Sequence, residues 1–117
     1  MSNTRSKLLG LNAKMTRTRI VEVKDPDGEP IKVQVRSPSI AQSAMFAAAG
    51  QSEDSQAQTR VMAQIIVQCC HDPDSGERLF TEADMDLILE CPADGWVPPL
   101  VTAVTDLLSQ AQDQAKN

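Results

Sequence analysis

Residues 18 to 36 leave this chain little choice of local structure. The run Thr18-Arg19-Ile20-Val21-Glu22-Val23 alternates strictly, with Ile20 and Glu22 on one face and Val21 and Val23 on the other. A period of two in β-branched residues belongs to a strand. The segment DPDGEP, residues 25–30, follows with two prolines and an Asp27-Gly28 pair, strong turn chemistry. In IKVQVR, residues 31–36, Ile31, Val33 and Val35 then point one way and Lys32, Gln34 and Arg36 the other. Segment 17–36 is therefore a β-hairpin whose second strand is half exposed and has a basic outer face.

Beyond the hairpin the apolar period lengthens. Ser37-Pro38-Ser39 ends the strand and offers a cap, because a serine oxygen can accept from the free amides of a helix's first turn. A helix is expected over Ser39–Ala49, with Ile40, Ala44, Ala47 and Ala48 on one face, Met45 and Phe46 beside them, and Gly50 as terminator. The longest amphipathic stretch, about Asp54 to Cys70, carries Val61, Met62, Ile65, Ile66 and Cys69 at helical spacing and reads as the central helix of the core. After the polar turn HDPDSGE, Thr81 and Asp84 form a variant capping box for a helix holding Met85, Leu87, Ile88 and Leu89. That helix must stop before Cys91-Pro92, since the residue preceding proline avoids the helical region. A last helix starts between Asp94 and Pro99, with a stripe at Leu100, Val104, Leu107, Leu108 and Ala111. The expected architecture is α+β: a flexible N-terminal arm over 1–16 with a docking point at Leu8, Leu9 and Leu11, then one domain over 17–111 and a frayed tail over 112–117. Within the domain, the N-terminal hairpin (17–36) is followed by a bundle of about four helices (39–111).

Charge divides the chain at the same boundary. Residues 1–36 hold eight bases against four acids, and the remainder holds three bases against twelve acids, for a net of −5. An acidic chain lacks the phosphate neutralisation that dominates duplex binding, so nucleic acid is an unlikely partner. With three aromatics and no tyrosine, base-stacking platforms are unlikely as well. No apolar run approaches the roughly 18 residues that span a bilayer, and no apolar core of a secretory signal opens the sequence. Three cysteines, two of them adjacent, make no disulfide framework, which suits a reducing compartment. These features point to a soluble cytosolic protein with no membrane contact.

The chemistry-bearing residues form no catalytic or metal set. Cys69-Cys70-His71-Asp72 invites a zinc or nucleophile reading, but adjacent helical cysteines project about 100° apart and cannot converge on a tetrahedron. Neighbours in sequence also cannot supply an oriented nucleophile, base and third group. Cys69 is expected in the core and His71 at a helix end, where a cation suits the dipole. Asp84, Asp86 and Glu90 belong to a solvated helix face. DPDSGE lacks the remaining ligands of a calcium loop, and the five glycines are too scattered to cradle phosphate. No enzyme, cofactor or metal is expected, and surfaces carry the function. The wide apolar arc Val61, Met62, Ile65, Ile66 and Val67 and the cluster Trp96-Val97-Pro98-Pro99-Leu100 are the two candidate patches.

The ordered set, comprising an arm with KLLG, a hairpin, a helix after SPS, a long helix ending in a polar turn, RLFTEADMDLI and a final helix, resembles the tail assembly chaperones of long-tailed bacteriophages. In that family an (acid)-x-x-Gly-x-x-Leu-Phe-Thr-x-x-Asp segment introduces the penultimate helix; here it runs from Asp74, one residue nearer the glycine than in the pattern, through Gly76, Leu79, Phe80 and Thr81 to Asp84. The resemblance implies a non-enzymatic protein of the infected host cell's cytoplasm, absent from the mature virion. Such a protein binds the tape measure protein and keeps it soluble while the tail tube polymerises. Tail tube protein is a possible second partner, and a homo-oligomer is expected. Met45, Phe46, Met62, Ile66 and Trp96 are the expected partner-binding residues. The family's extended forms arise by frameshifting, and Ala115-Lys116-Asn117 can be encoded by a slippery heptamer. The alternative reading is a regulatory adaptor that binds nucleic acid or an acidic protein through the basic hairpin. A further expectation from the charge split is that the basic hairpin of one copy meets the acidic helices of the next.

Overall fold

The computed structural model describes residues 3–115, with side chains described through Ser109. The expected hairpin is present as β1 (Thr18–Lys24) and β2 (Pro30–Arg36), antiparallel from Thr18 opposite Arg36 to Lys24 opposite Pro30. Asp25 shapes its turn: Oδ1 accepts from the amides of Asp27 and Glu29 at 2.8 and 3.0 Å. Gly28 sits at φ +87°, where a side chain would strain the backbone. Val21, Val23, Val33 and Val35 face inward, and burial deepens from the tip to the base, from Ile31 at 53% exposed to Val35 at 0%. The tip overhangs the core.

A third strand joins this sheet. β3 (Cys70–His71) pairs antiparallel with β2, placing Gln34 opposite His71 and Val35 opposite Cys70, in the order β1-β2-β3. Two residues carry no periodicity of their own, so this strand was invisible to pattern reading. What makes it form is position: the chain leaves a helix beside the open edge of β2, and its backbone groups need partners.

The helices differ from a four-helix bundle in number and size. The segment expected to be a flexible arm forms α1 (Asn3–Met15), in which no residue is buried. α2 (Ile40–Gly50) opens on a full capping box: Ser39 Oγ accepts from the Gln42 amide at 3.1 Å, and Gln42 Oε1 accepts from the Ser39 amide at 2.9 Å. α3 (Ser55–Cys69) is capped by Asp54, whose Oδ1 accepts from the Gln56 amide at 2.9 Å. The expected penultimate helix shrinks to a 3₁₀ turn (Glu82–Asp84) and α4 (Met85–Leu89), introduced by the Asp84 carboxylate accepting from the Thr81 amide at 2.8 Å. α5 (Val97–Ala115) starts inside the expected window, with Pro98 and Pro99 in its first turn, where missing amides cost nothing. Ala111 and the tail's side chains lie outside the described ones, and Lys116 and Asn117 lie outside the described residues.

α3 sits at the centre, against α2, α4, α5 and β3, while α5 crosses the inner face of β1 and β2. The core is aliphatic: Ile66, Ile88, Leu100 and Val35 are among its largest fully buried side chains, joined by Cys69 and Cys70. The radius of gyration, 15.7 Å, exceeds the roughly 13 Å of a compact chain this long. An unburied α1 and the overhanging hairpin tip account for the excess. Among the described residues, the two charge halves meet at an exposed pair, Arg19 Nη1 to Asp106 Oδ2 at 3.5 Å.

Candidate partner-binding surface

Between Arg36 and Glu53 there is no charged residue at all, and α2 occupies most of that interval. Pattern reading placed Ile40, Ala44, Ala47 and Ala48 on one face, with Met45 and Phe46 beside them, and did not say which way that face points. The structure turns it outward: Ile40 is 91% exposed, and Ala41, Ala44, Ala47 and Ala48 are exposed with it. The opposite side, with Met45, Phe46 and Ala49 half-buried, lies against α3. An almost all-apolar helix has no polar face to mark which way it points, so its orientation is decided by size, and the larger Met and Phe win the contact. The result is an outward apolar strip of uncharged surface.

Two of the five expected partner-binding residues, Met45 and Phe46, are half-buried on α2 beside this strip, and Met62 is half-buried on α3. A hollow of about 170 Å³ opens between the elements, lined in part by Met45, Gln64, Val67, Gln68 and Met85. Gln68 Nε2 approaches Met45 Sδ at 4.0 Å across it. Flexible methionines with amides at the rim suit a surface that must accept several similar apolar segments.

Ile66 is a correction. It has no exposed surface, and it packs the centre of the core. The wide arc that looked like an exposed patch, with Ile65 and Val67 also buried, is explained by α3 being surrounded. Trp96 stands apart from α2: it is half-buried and stacked on Phe80, with ring centroids 5.7 Å apart and planes inclined by 23°. Val97 and Leu100 beside it are buried, so this cluster completes the core. The exposed apolar residues that pattern reading did not single out as a surface include Ile40, Met15, Leu87, Ile31, Ile20 and Leu79. Leu87 was placed on its helix only by period.

The Cys69–His71 cluster has structural chemistry. Burial pushes the Cys69 thiol up to about 11, with Arg78 opposing, and the Cys70 thiol up to about 12, with Cys69 adding to it. Both remain protonated at neutral pH and are poor nucleophiles. His71 is corrected from an exposed helix end to a buried strand position, 8% exposed. Its Nδ1 donates to the Gly76 carbonyl at 3.1 Å, and Arg36 Nη2 donates to the same oxygen at 2.9 Å. Arg36 also donates from Nε to Gln34 Oε1 at 2.9 Å, so part of the expected basic outer face is drawn into this turn. Among the described residues, no group of three or more His, Cys, Asp or Glu is placed to hold a metal, and no helix is long and apolar enough to cross a membrane.

Burial lowers the His71 pKa below 6.5, aided by the Arg36 and Arg78 charges and opposed by the Gly76 hydrogen bond. The folded state thus prefers neutral imidazole, while the unfolded chain takes up a proton near 6.5. The stability this preference contributes is complete above pH 6.5 and is lost as pH falls through that value towards the lower folded pKa. Urea unfolding at pH 7.5 and 5.5 should show the loss in the parent. The His71→Gln variant should show a smaller difference between the two pH values; an equal difference would refute the assignment.

Helices packed on one face of a small antiparallel sheet give this chain a fold similar to that of a solved phage tail assembly chaperone. That structure is the tail assembly chaperone of bacteriophage HK97, matched with a TM-score of 0.61 and 19% sequence identity over 92% of this chain and 99% of that one. No protein-family model matches the chain, and no curated protein sequence matches it.

Proposed function

We propose that this chain is a tail assembly chaperone of a long-tailed bacteriophage, which binds the tape measure protein and keeps it soluble while the tail tube polymerises around it. The observation that carries the reading is a shared fold spanning 92% of this chain and 99% of the HK97 tail assembly chaperone. The outward strip of α2 supports it, because a long helical partner is recognised by laying an apolar face against such a surface. With Ile40 flanked only by alanines, each copy offers a small contact, so many copies must share one partner. Small contacts also allow the release that is needed when tube protein replaces the chaperone. The protein then acts without catalysis, in the cytoplasm of the infected host, and is absent from the mature virion; tail tube protein is a second candidate partner.

Coexpression tests the reading. A tape measure protein from the same phage should shift from the insoluble to the soluble fraction and copurify with this chain. Ile40→Asp together with Ala44→Asp, both exposed, should abolish that gain while leaving the chaperone's own Tm within a few degrees. A tape measure protein equally soluble with and without the chain would sink the proposal.

A further inference from the structure

Two hollows of this fold lie on one line. The hollow between α2 and α4 is lined on the α3 side by Gln64, Val67 and Gln68, with Arg60 at the end nearer the start of α3. A wider one, of about 370 Å³, is lined by Ser55, Gln56, Thr59 and Arg60 of α3 and by Leu89 of α4. Arg60 belongs to both. Gln56, Arg60, Gln64 and Gln68 follow one another at intervals of four, the row that a helix presents as a ridge along its surface. The opposite wall is α4, where Met85 borders the narrow hollow and Leu89 the wide one, again four residues apart. Since Met85 shares a hollow with Gln64 and Gln68, and Leu89 shares one with Gln56, α4 runs antiparallel to α3 beside this row. The hollows are therefore segments of one groove, roughly 18 Å long from Gln56 to Gln68, and a helix of about 12 residues covers that length.

The walls and the rim set the character of an occupant. Met45, Met85 and Leu89 supply apolar contact. Acids gather around them: Glu82 lines the narrow hollow, Asp86 faces Arg60 at 3.7 Å, and the exposed Glu53 and Glu90 precede α3 and follow α4 at the wide end. Among the described residues, the lining itself contains one base, Arg60. The pair of Arg60 with Asp86 is weak, because the two side chains are 53% and 90% exposed and water competes for both. An acidic helix laid here would meet four like charges, whereas a helix with bases beside an apolar stripe satisfies wall and rim together.

We propose that the α3–α4 groove binds a basic amphipathic helix of a partner protein, with its apolar stripe on Met45, Met85 and Leu89 and its lysines or arginines against Glu82, Asp86 and Glu90. Arg60 is a divider between the two hollows, and the incoming bases replace it at Asp86. The outward strip of α2 is a different surface, without a charge from Ser37 to Ser52, and selects by apolar fit alone. The groove selects by charge as well. It goes beyond the tape measure reading, and its test uses no tape measure protein, so the two can fail separately.

The probe is a synthetic helix of roughly 14 leucines and lysines set at the 3.6-residue period. It is titrated into the ¹⁵N-labelled full chain at about 0.15 M salt, where exposed charges more than roughly 8 Å apart are screened. Amide shifts should gather on Gln56, Arg60, Gln64, Gln68 and Leu89, and the same peptide with glutamate in place of lysine should not bind. Glu82→Lys with Glu90→Lys should weaken the lysine peptide about tenfold, since each reversal exchanges an attraction for a repulsion. Arg60→Ala should tighten it about threefold by opening the divider and removing a like charge. Asp27→Lys with Glu29→Lys makes the same change of net charge at the hairpin turn and should leave the affinity within about twofold. All three variants should keep the parent's circular dichroism spectrum. Shifts spread over every acidic segment, a loss at the turn variant equal to that at the groove variant, or weaker binding by Arg60→Ala would overturn the proposal. So would amides of this row that move with the chain's own concentration before peptide is added, because a second copy would then fill the groove.

Discussion

Ile66→Ala is expected to cost about 3.5 kcal/mol, within the range for truncating a fully buried isoleucine to alanine. At about 4 °C per kcal/mol for a domain of this size, the Tm should fall by roughly 14 °C. Ile66 is the point at which α3 presents itself to its neighbours, and a cavity there cannot be filled by local collapse without moving α2, α4 or α5. Met62→Ser is the matching control. Met62 is half-buried on the same helix, so the change should cost about 1 kcal/mol or less. The two variants should then separate stability from partner binding. Ile66→Ala below its lowered Tm should still solubilise the tape measure protein, whereas Met62→Ser should remain folded and solubilise it less well. Calorimetry and the coexpression assay measure the two effects. If Ile66→Ala leaves the Tm within 3 °C of the parent, the central position of α3 is wrong.

This contrast shows where pattern stops carrying structural information. Val61, Met62, Ile65, Ile66 and Val67 cover too wide an arc for one buried stripe, which is what a helix packed on several sides requires and also what an exposed patch would show. Periodicity cannot separate the two, because it reports which residues share a face and not how many faces are covered. The hairpin was legible for the opposite reason. Its alternation allows one inner face, and Val33 and Val35, near its base, are the residues of that face that the structure buries. α2 was legible as a helix but not in its orientation, for lack of contrast: a helix mostly of alanines with one isoleucine, one methionine and one phenylalanine has little polar side to orient it. α1 failed because Gly10 and mixed polar residues lower its helical propensity without excluding a helix. β3 and the burial of His71 depend on an edge supplied by residues some forty positions earlier in the chain, and no local window contains that partner.

Met45, Phe46, Met62 and Trp96 are all half-buried, and of these Met45 and Phe46 have the small exposed side chains Ala44, Ala47 and Ala48 beside them on α2. That smallness would let another helix approach α2 closely, as the proposed function requires. The acidic residues collected after residue 36 lie outside this strip, on α4, in the turns and at the start of α3. The acidic residues and the apolar strip are thus separate surfaces of the fold.

Gly95→Ala should destabilise the protein by about 2 kcal/mol, because this glycine is required by space and not by an unusual backbone angle. A Cβ at that position would stand 2.7 Å from Cys91 Sγ, 3.0 Å from the Pro92 carbonyl oxygen and 3.3 Å from Pro92 Cδ. The carbonyl cannot retreat freely, since it accepts the Gly95 amide at 2.8 Å and so closes the turn. Displacement would pass directly to Trp96 and Val97. Trp96 stacks on Phe80, and Val97 is buried at the first position of α5, so the change should also shift the fluorescence of the single tryptophan. Cys91→Ala in the same chain removes the 2.7 Å conflict and leaves the 3.0 Å one. The double variant should accordingly recover about 1 kcal/mol of the loss, a coupling that a double-mutant cycle measures directly. Single losses that simply add would show that the sulfur is not the obstacle. A Gly95→Ala variant within 0.5 kcal/mol of the parent would show that the turn before α5 yields, and with it the start of the helix that covers the sheet.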